Sequence, residues 1–240
     1  MFDANPTIRR LGNAGVVTNP LTYDGVIHRT GALLLVTATT FALTWRGLIT
    51  GDVAPELGMA GSLVGLVLAL IIIFTRATNP ILISAYALTQ GLALGVISYY
   101  ANQRYPGVAL QAVAGTMGCF STVLVLYSLR VLRATPTFVK VISAALLGIM
   151  ALYLIDLVAG FFGHPLDVVR GNSGTSIGIT AVIILVASLS FVIDFAAIEQ
   201  SVKEGVDAKQ GWRFAFSLLV GLVWLYIEIL RLLTKLRSRD

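Results

Sequence analysis

Asp194 and Glu228 are carboxylates set inside two consecutive apolar stretches, SLSFVIDFAAIEQSVKEGVDAKQGW and RFAFSLLVGLVWLYIEILRLL. An ionisable group at membrane depth costs several kcal/mol unless it is paired, hydrated or protonated, which marks it as a candidate for function. Each acid lies 17 residues from Gly211. The two therefore meet at similar depth if the hairpin turns close to that glycine, and are separated by one or two helical turns if it turns earlier. Two carboxylates brought together in low dielectric do not both ionise comfortably, so one of them holds a proton. A hard divalent cation prefers oxygen ligands and could replace that proton. Two carboxylates fall short of a tight Ca²⁺ cage, so the expected site is a weak transit site for Ca²⁺ at Asp194 and Glu228.

The two acids differ in their own helical surroundings. Asp194 has Ser190, Phe191, Ala197 and Ile198 at helical spacing and no base among them. Its charge needs a partner from another helix, a cation or a proton; the plain alternative is an interhelical pair that only fixes packing. Glu228 shares a face with Gly221, Trp224, Arg231 and Lys235. Arg231 at i+3 can neutralise it locally, and Lys235 is expected to snorkel towards the interface. Arg76, at the end of IIIFTRATNP, either snorkels as a helix-end charge or reaches inward to lock Asp194. Asp156, in ALYLIDLVAG, is a third acid without a partner on its own helix. It either lines the same pathway or sits hydrated near a helix end.

The elements that must carry these groups are all helical. The chain has 240 residues, 57% of them apolar and only 12% charged, with a mean hydropathy of +0.86. A soluble domain is nearer a quarter charged, so lipid is the main solvent here. Seven apolar runs follow, at Gly31–Ile49, Leu57–Thr75, Ile81–Tyr100, Val108–Leu129, Phe138–Phe162, Ile177–Phe195 and Trp212–Leu233. Each is close to the ~20 residues with which a helix crosses the hydrocarbon layer, and none alternates as a membrane strand does. The expectation is an all-α, polytopic seven-helix bundle. Residues 1–29 form a polar N-terminal segment, 30–236 the membrane domain and 237–240 a short charged tail. The polar segment lacks the apolar core of a signal peptide, and Arg9-Arg10 has no apolar segment close behind it. Gly61/Gly65, Gly91/Gly95 and Gly174/Gly178 are small-residue pairs that allow helices to approach closely.

Charge and motif content narrow the function classes. The net charge of +5 sits on loops and ends, which suits membrane orientation and anionic headgroups rather than nucleic acid. Lys and Arg divide ten to seven between the two sides, or ten to three without the last four. This places the N-terminus in the cytoplasm and leaves the basic C-terminus either crossing despite its charge or dipping back. Cys119 is the only cysteine, so neither an intrachain disulfide nor a four-cysteine metal site is available. His28 and His164 fall in expected loops, Ser98, Ser121 and Ser143 have no nearby base, and no GxSxG or HExxH occurs. No catalytic residue and no cofactor is expected.

Three stretches, YALTQGLALGVISYYANQRYPGVALQAVAGT (Tyr86–Thr116), SFVIDFAAIEQ (Ser190–Gln200) and LVWLYIEILRLLTKL (Leu222–Leu236), resemble the bacterial branch of the transmembrane Bax inhibitor motif family. The N-terminal NPTIRR is similar to the start of bacterial relatives. The resemblance implies a seven-helix bundle with the last helix near its centre. It also implies a pH-sensitive cation leak, chiefly of Ca²⁺, governed by an acidic dyad on the last two helices. Asp194 matches the first dyad position, Glu228 stands where related members carry Asp, and Arg76 falls where the family's dyad-locking arginine is expected. The location implied is the bacterial inner membrane, with lipid, Ca²⁺ and protons as partners. A non-conducting regulator that binds membrane proteases or other membrane proteins, and a proton-coupled cation exchanger, are the competing readings.

Overall fold

The computed structural model describes residues 19–164 and 166–239. Arg9, Arg10, the NPTIRR stretch, Pro165 and Asp240 lie outside the described residues. Among the described residues eight α-helices follow in chain order: α1 Tyr23–Thr50, α2 Glu56–Thr75, α3 Pro80–Arg104, α4 Val108–Ser128, α5 Pro136–Phe161, the single turn α6 Asp167–Arg170, α7 Gly174–Lys203 and α8 Gly211–Arg237. A 3₁₀ turn at Ala208–Gln210 leads into α8. All but α6 are long and apolar enough to cross a membrane.

Helix starts follow local chemistry. Asn79 accepts from the Ile81 N–H ahead of Pro80, Thr135 accepts from Phe138 N–H ahead of Pro136, and Ser173 accepts from Ser176 N–H. These side chains satisfy amide donors that a helix leaves open at its first turn, and proline tolerates the first position because it has none to satisfy. The same logic moves one expected boundary. Thr22 Oγ1 accepts from Gly25 N–H at 3.1 Å and Asp24 lies in the first turn. A side-chain cap and a carboxylate at the positive helix end start α1 eight residues before the apolar run at Gly31. The last part of the polar 1–29 segment is thus helical, and His28 lies exposed on α1 rather than in a loop.

The last helix is the hub. α8 carries 13 buried residues, against two on α5, and it packs on α7, α1, α4 and α3. It runs unbroken for 27 residues, about 40 Å at 1.5 Å per residue, which is long enough to cross and has no break at which to dip back. Phe216, Leu219, Leu222, Leu225 and Ile229 fill the centre with Phe191 and Phe195 of α7. Ser98 of α3 and Tyr226 of α8 share a buried 2.7 Å hydrogen bond, which satisfies both hydroxyls where no water can.

Glycine pairs bring α1, α2 and α3 together. A Cβ on Gly91 would lie 2.4 Å from the Thr37 carbonyl oxygen, and one on Gly65 2.4 Å from Gln90. Gly174 and Gly178 differ: nothing lies within 4 Å of a Cβ at either, so that pair joins no helices and its expected packing role is corrected. The segment before α1 clamps the α7–α8 turn, with Leu21 N–H on the Val206 carbonyl at 2.7 Å and Ala208 N–H on the Asn19 carbonyl at 2.9 Å.

Candidate functional site

The acids occupy two separate layers of the bundle. Asp194, part-exposed on α7, accepts from Ser217 Oγ of α8 at 2.7 Å. Ser217 precedes Glu228 by eleven residues on the same helix, which is about 16 Å along its axis. The expected dyad therefore does not close. The cause is the position of the turn: α7 ends at Lys203, nine residues after Asp194, whereas α8 begins at Gly211, 17 residues before Glu228. The turn is centred ahead of Gly211, so equal spacing from that glycine is not equal depth. One ion cannot be shared by Asp194 and Glu228 at this separation, which overturns the joint Ca²⁺ site. Among the described residues no group of three or more His, Cys, Asp or Glu side chains could hold a metal.

Glu228 is buried, with 1% of its side chain exposed. Tyr153 of α5 donates its hydroxyl to Oε1 at 2.7 Å, and Arg231 donates Nη1 to Oε2 at 3.3 Å and to Tyr153 Oη at 2.7 Å. The guanidinium also lies 5.2 Å from the centre of the Tyr153 ring, so cation, phenol and carboxylate form a closed triangle. Such closure is what makes a buried charge tolerable: the carboxylate keeps two donors and a counter-charge in place of water. Arg231 thus neutralises Glu228 from i+3, as the spacing allows.

Beside this triangle lies a second cluster. Asp156, one helical turn beyond Tyr153 on α5, accepts from Arg170 Nε at 2.9 Å and from Leu166 N–H at 3.0 Å. Lys235 departs from expectation most. It does not snorkel; it is 4% exposed, and its Nζ donates to the Val169 carbonyl at 2.7 Å, Ser176 Oγ at 2.7 Å and Thr180 Oγ1 at 3.0 Å. Three acceptors match the three donors of an ammonium. A cavity of about 520 Å³ is lined by Tyr153, Asp156, Arg170, Arg231 and Lys235. Its lining holds three cations and one acid, with Glu228 engaged behind Arg231.

Arg76 lies elsewhere. It ends α2 in the left-handed region at φ 52°, is exposed, and makes no ion pair with Asp194 among the described residues. α2 packs chiefly on α3 through its glycine face, which leaves its C-terminal end away from α7. The expected lock on Asp194 is corrected accordingly. Tyr153, Arg170 and Ser217 escaped the sequence reading; the signal available for Tyr153 was its i, i+3 spacing from Asp156, which puts both on one face of α5. Among the described residues, one buried side-chain polar atom has no hydrogen-bond partner, Ser188 Oγ on α7.

A comparison with curated proteins finds no match. A family model described as Bax inhibitor 1 like matches residues 4–238, a span that takes in all the membrane helices and both acid layers. With seven membrane-length helices among the described residues, four of which pack on the last, this multi-pass membrane protein belongs to the Bax inhibitor 1 like family.

Proposed function

We propose that the protein is a pH-sensitive cation leak, with Ca²⁺ as its leading ion, in the bacterial inner membrane, and that its work is transport rather than catalysis. The carrying observation is the contrast between the two acids. Glu228 is latched by Tyr153 and Arg231, while Asp194 faces only the neutral hydroxyl of Ser217. An acid with a neutral partner in low dielectric gains most from taking up a proton or a cation. Asp194 is then the switch, and Glu228 the latch that a cation releases by displacing Arg231. Ser188 supports a polar route between them: it lies six residues, about 9 Å, from Asp194 on α7 on the side away from the turn.

The distribution of charge supports a cytoplasmic N-terminus. Arg231 and Lys235 are engaged inside the bundle and Arg170 is paired with Asp156, so fewer basic residues on the C-terminal side oppose that orientation. In proteoliposomes holding a Ca²⁺ dye, wild-type influx should change with pH between about pH 6 and pH 8, and Asp194→Asn should flatten that change at least fivefold or so. Glu228→Gln should alter influx at all pH values by freeing Arg231. Identical flux from wild type and both variants would sink this reading.

The saturation of Glu228 and Asp156 by protein donors also suits a non-conducting regulator of other membrane proteins, in which the acids only hold helices together. Wild-type flux at the level of empty liposomes, together with a stable crosslinked partner, would select it. Influx that follows an opposing proton gradient rather than pH itself would select a cation exchanger.

A further inference from the structure

A trough on the flank of the bundle is used by neither acid layer. It has a volume of about 640 Å³ and runs between the first turns of α1 and the last turns of α4, with Phe195, Ile198 and Leu218 in its wall. From Tyr23 to Leu34 it follows α1 for twelve residues, about 16 Å, which matches a large part of one acyl chain. Its lining is mainly apolar, and Ile27 beside it is 64% exposed. Within a bilayer such a surface is occupied by lipid.

The trough does not end blindly. It shares Tyr127, Arg130 and Glu199 with a polar cup of about 440 Å³ that adds Arg133, Gln200 and Lys203. Glu199 is already committed within the cup, receiving Lys203 Nζ and the Tyr127 hydroxyl, both at 2.5 Å. Arg130 and Arg133 are exposed and have no ion pair among the described residues. They stand together because the chain turns tightly after α4, with Arg130 at φ 61° and Arg133 Nε donating to the Arg130 carbonyl at 3.2 Å. Two guanidinium groups with no ion pair among the described residues, at the mouth of an apolar trough, complement a phosphate diester with an attached acyl chain, since the planar guanidinium fork matches phosphate oxygens.

We propose that this composite site retains one anionic phospholipid, with its phosphate at Arg130 and Arg133 and one acyl chain along the trough. Phe195 and Leu218 adjoin Asp194 and Ser217 in sequence, so the bound chain would also seal the flank of the Asp194 layer. The site stands on its own geometry and does not depend on whether the protein conducts ions.

The test is native mass spectrometry of the full chain released from nanodiscs of equal phosphatidylglycerol and phosphatidylcholine. Wild type should carry one retained lipid with about a tenfold preference for phosphatidylglycerol. Arg130→Ala/Arg133→Ala should bring that preference close to unity. Gly31→Trp, at an exposed trough position where a Cβ meets nothing within 4 Å, should reduce retention of both lipids without disturbing the fold, as circular dichroism would report. Arg46→Ala/Arg104→Ala, at the opposite ends of their helices, should leave the preference unchanged. Equal retention of the two lipids by wild type, an unchanged preference in the Arg130/Arg133 variant, or the same loss in the Arg46/Arg104 variant would overturn the proposal. Displacement of the lipid by inorganic phosphate alone would overturn it as well, by assigning the site to free anions.

Discussion

Glu228 shows how a single buried acid is held without water. Its carboxylate has 1% of its side chain exposed, and the lasting counter-charge is Arg231, one turn away and 33% exposed. Removing one member of such a pair leaves a buried charge, which costs more than removing both. Arg231→Met should therefore lower stability by about 2 kcal/mol, reduced from the fully buried case by the water that reaches the guanidinium. Arg231→Met/Glu228→Gln should recover part of that loss, because the amide can still receive the Tyr153 hydroxyl. Thermal unfolding in detergent reads both, and a double variant less stable than the single would show that the triangle is not the unit that holds this region.

At the scale of elements, position along a helix proved easier to read than orientation between helices. Apolar length and the Asn79-Pro80, Thr135-Pro136 and Ser173 starts were legible, because capping and span length are local properties of the chain. The meeting of Asp194 with Ser217 was not, because it depends on where the α7–α8 turn is centred. That turn is held by the Leu21 N–H on the Val206 carbonyl and by the Asn19 carbonyl, which accepts from the Ala208 N–H, almost 200 residues away in sequence. The burial of Lys235 is illegible for a related reason: its acceptors come from α6 and α7, and no spacing within α8 announces them. Glycine pairs divide along the same line. Gly91→Ala should cost about 2 kcal/mol, since its Cβ meets a backbone carbonyl that cannot swing aside, while Gly178→Ala should leave the unfolding midpoint unchanged. The short α6 makes a further case. It is held by Asp156 through Leu166 and Arg170, and by Lys235 through Val169. Asp156→Ala and Lys235→Met should each speed amide hydrogen exchange across residues 166–173 and leave α1 to α3 unaltered; exchange that rises equally everywhere would mean that the tethers serve the whole bundle.

The whole molecule sets the Asp194–Ser217 layer of α7 and α8 about 16 Å from the Glu228 layer as measured along α8, with Phe191, Leu219, Leu222 and Leu225 filling the core around the two helices. In the leak proposed above, such an arrangement would separate the exchange of a proton or cation at Asp194 from the release of Arg231 by Glu228. Groups more than about 10 Å apart that share no partner act independently, to within roughly 0.5 kcal/mol. A double-mutant cycle of Asp194→Asn and Glu228→Gln should accordingly be additive in thermal stability, because the folded ground state keeps the two layers apart. The same cycle on ion flux asks a different question, since flux passes through whatever arrangement conducts. If flux is additive too, cations step between two independent stations with the hydrophobic layer rearranging locally. If stability is additive and flux is coupled by about 1 kcal/mol or more, α7 slides or rotates against α8 during conduction and brings the acids under mutual influence. Coupling in stability itself would contradict the separation of the layers, so the two readouts together test the architecture and its motion as distinct claims.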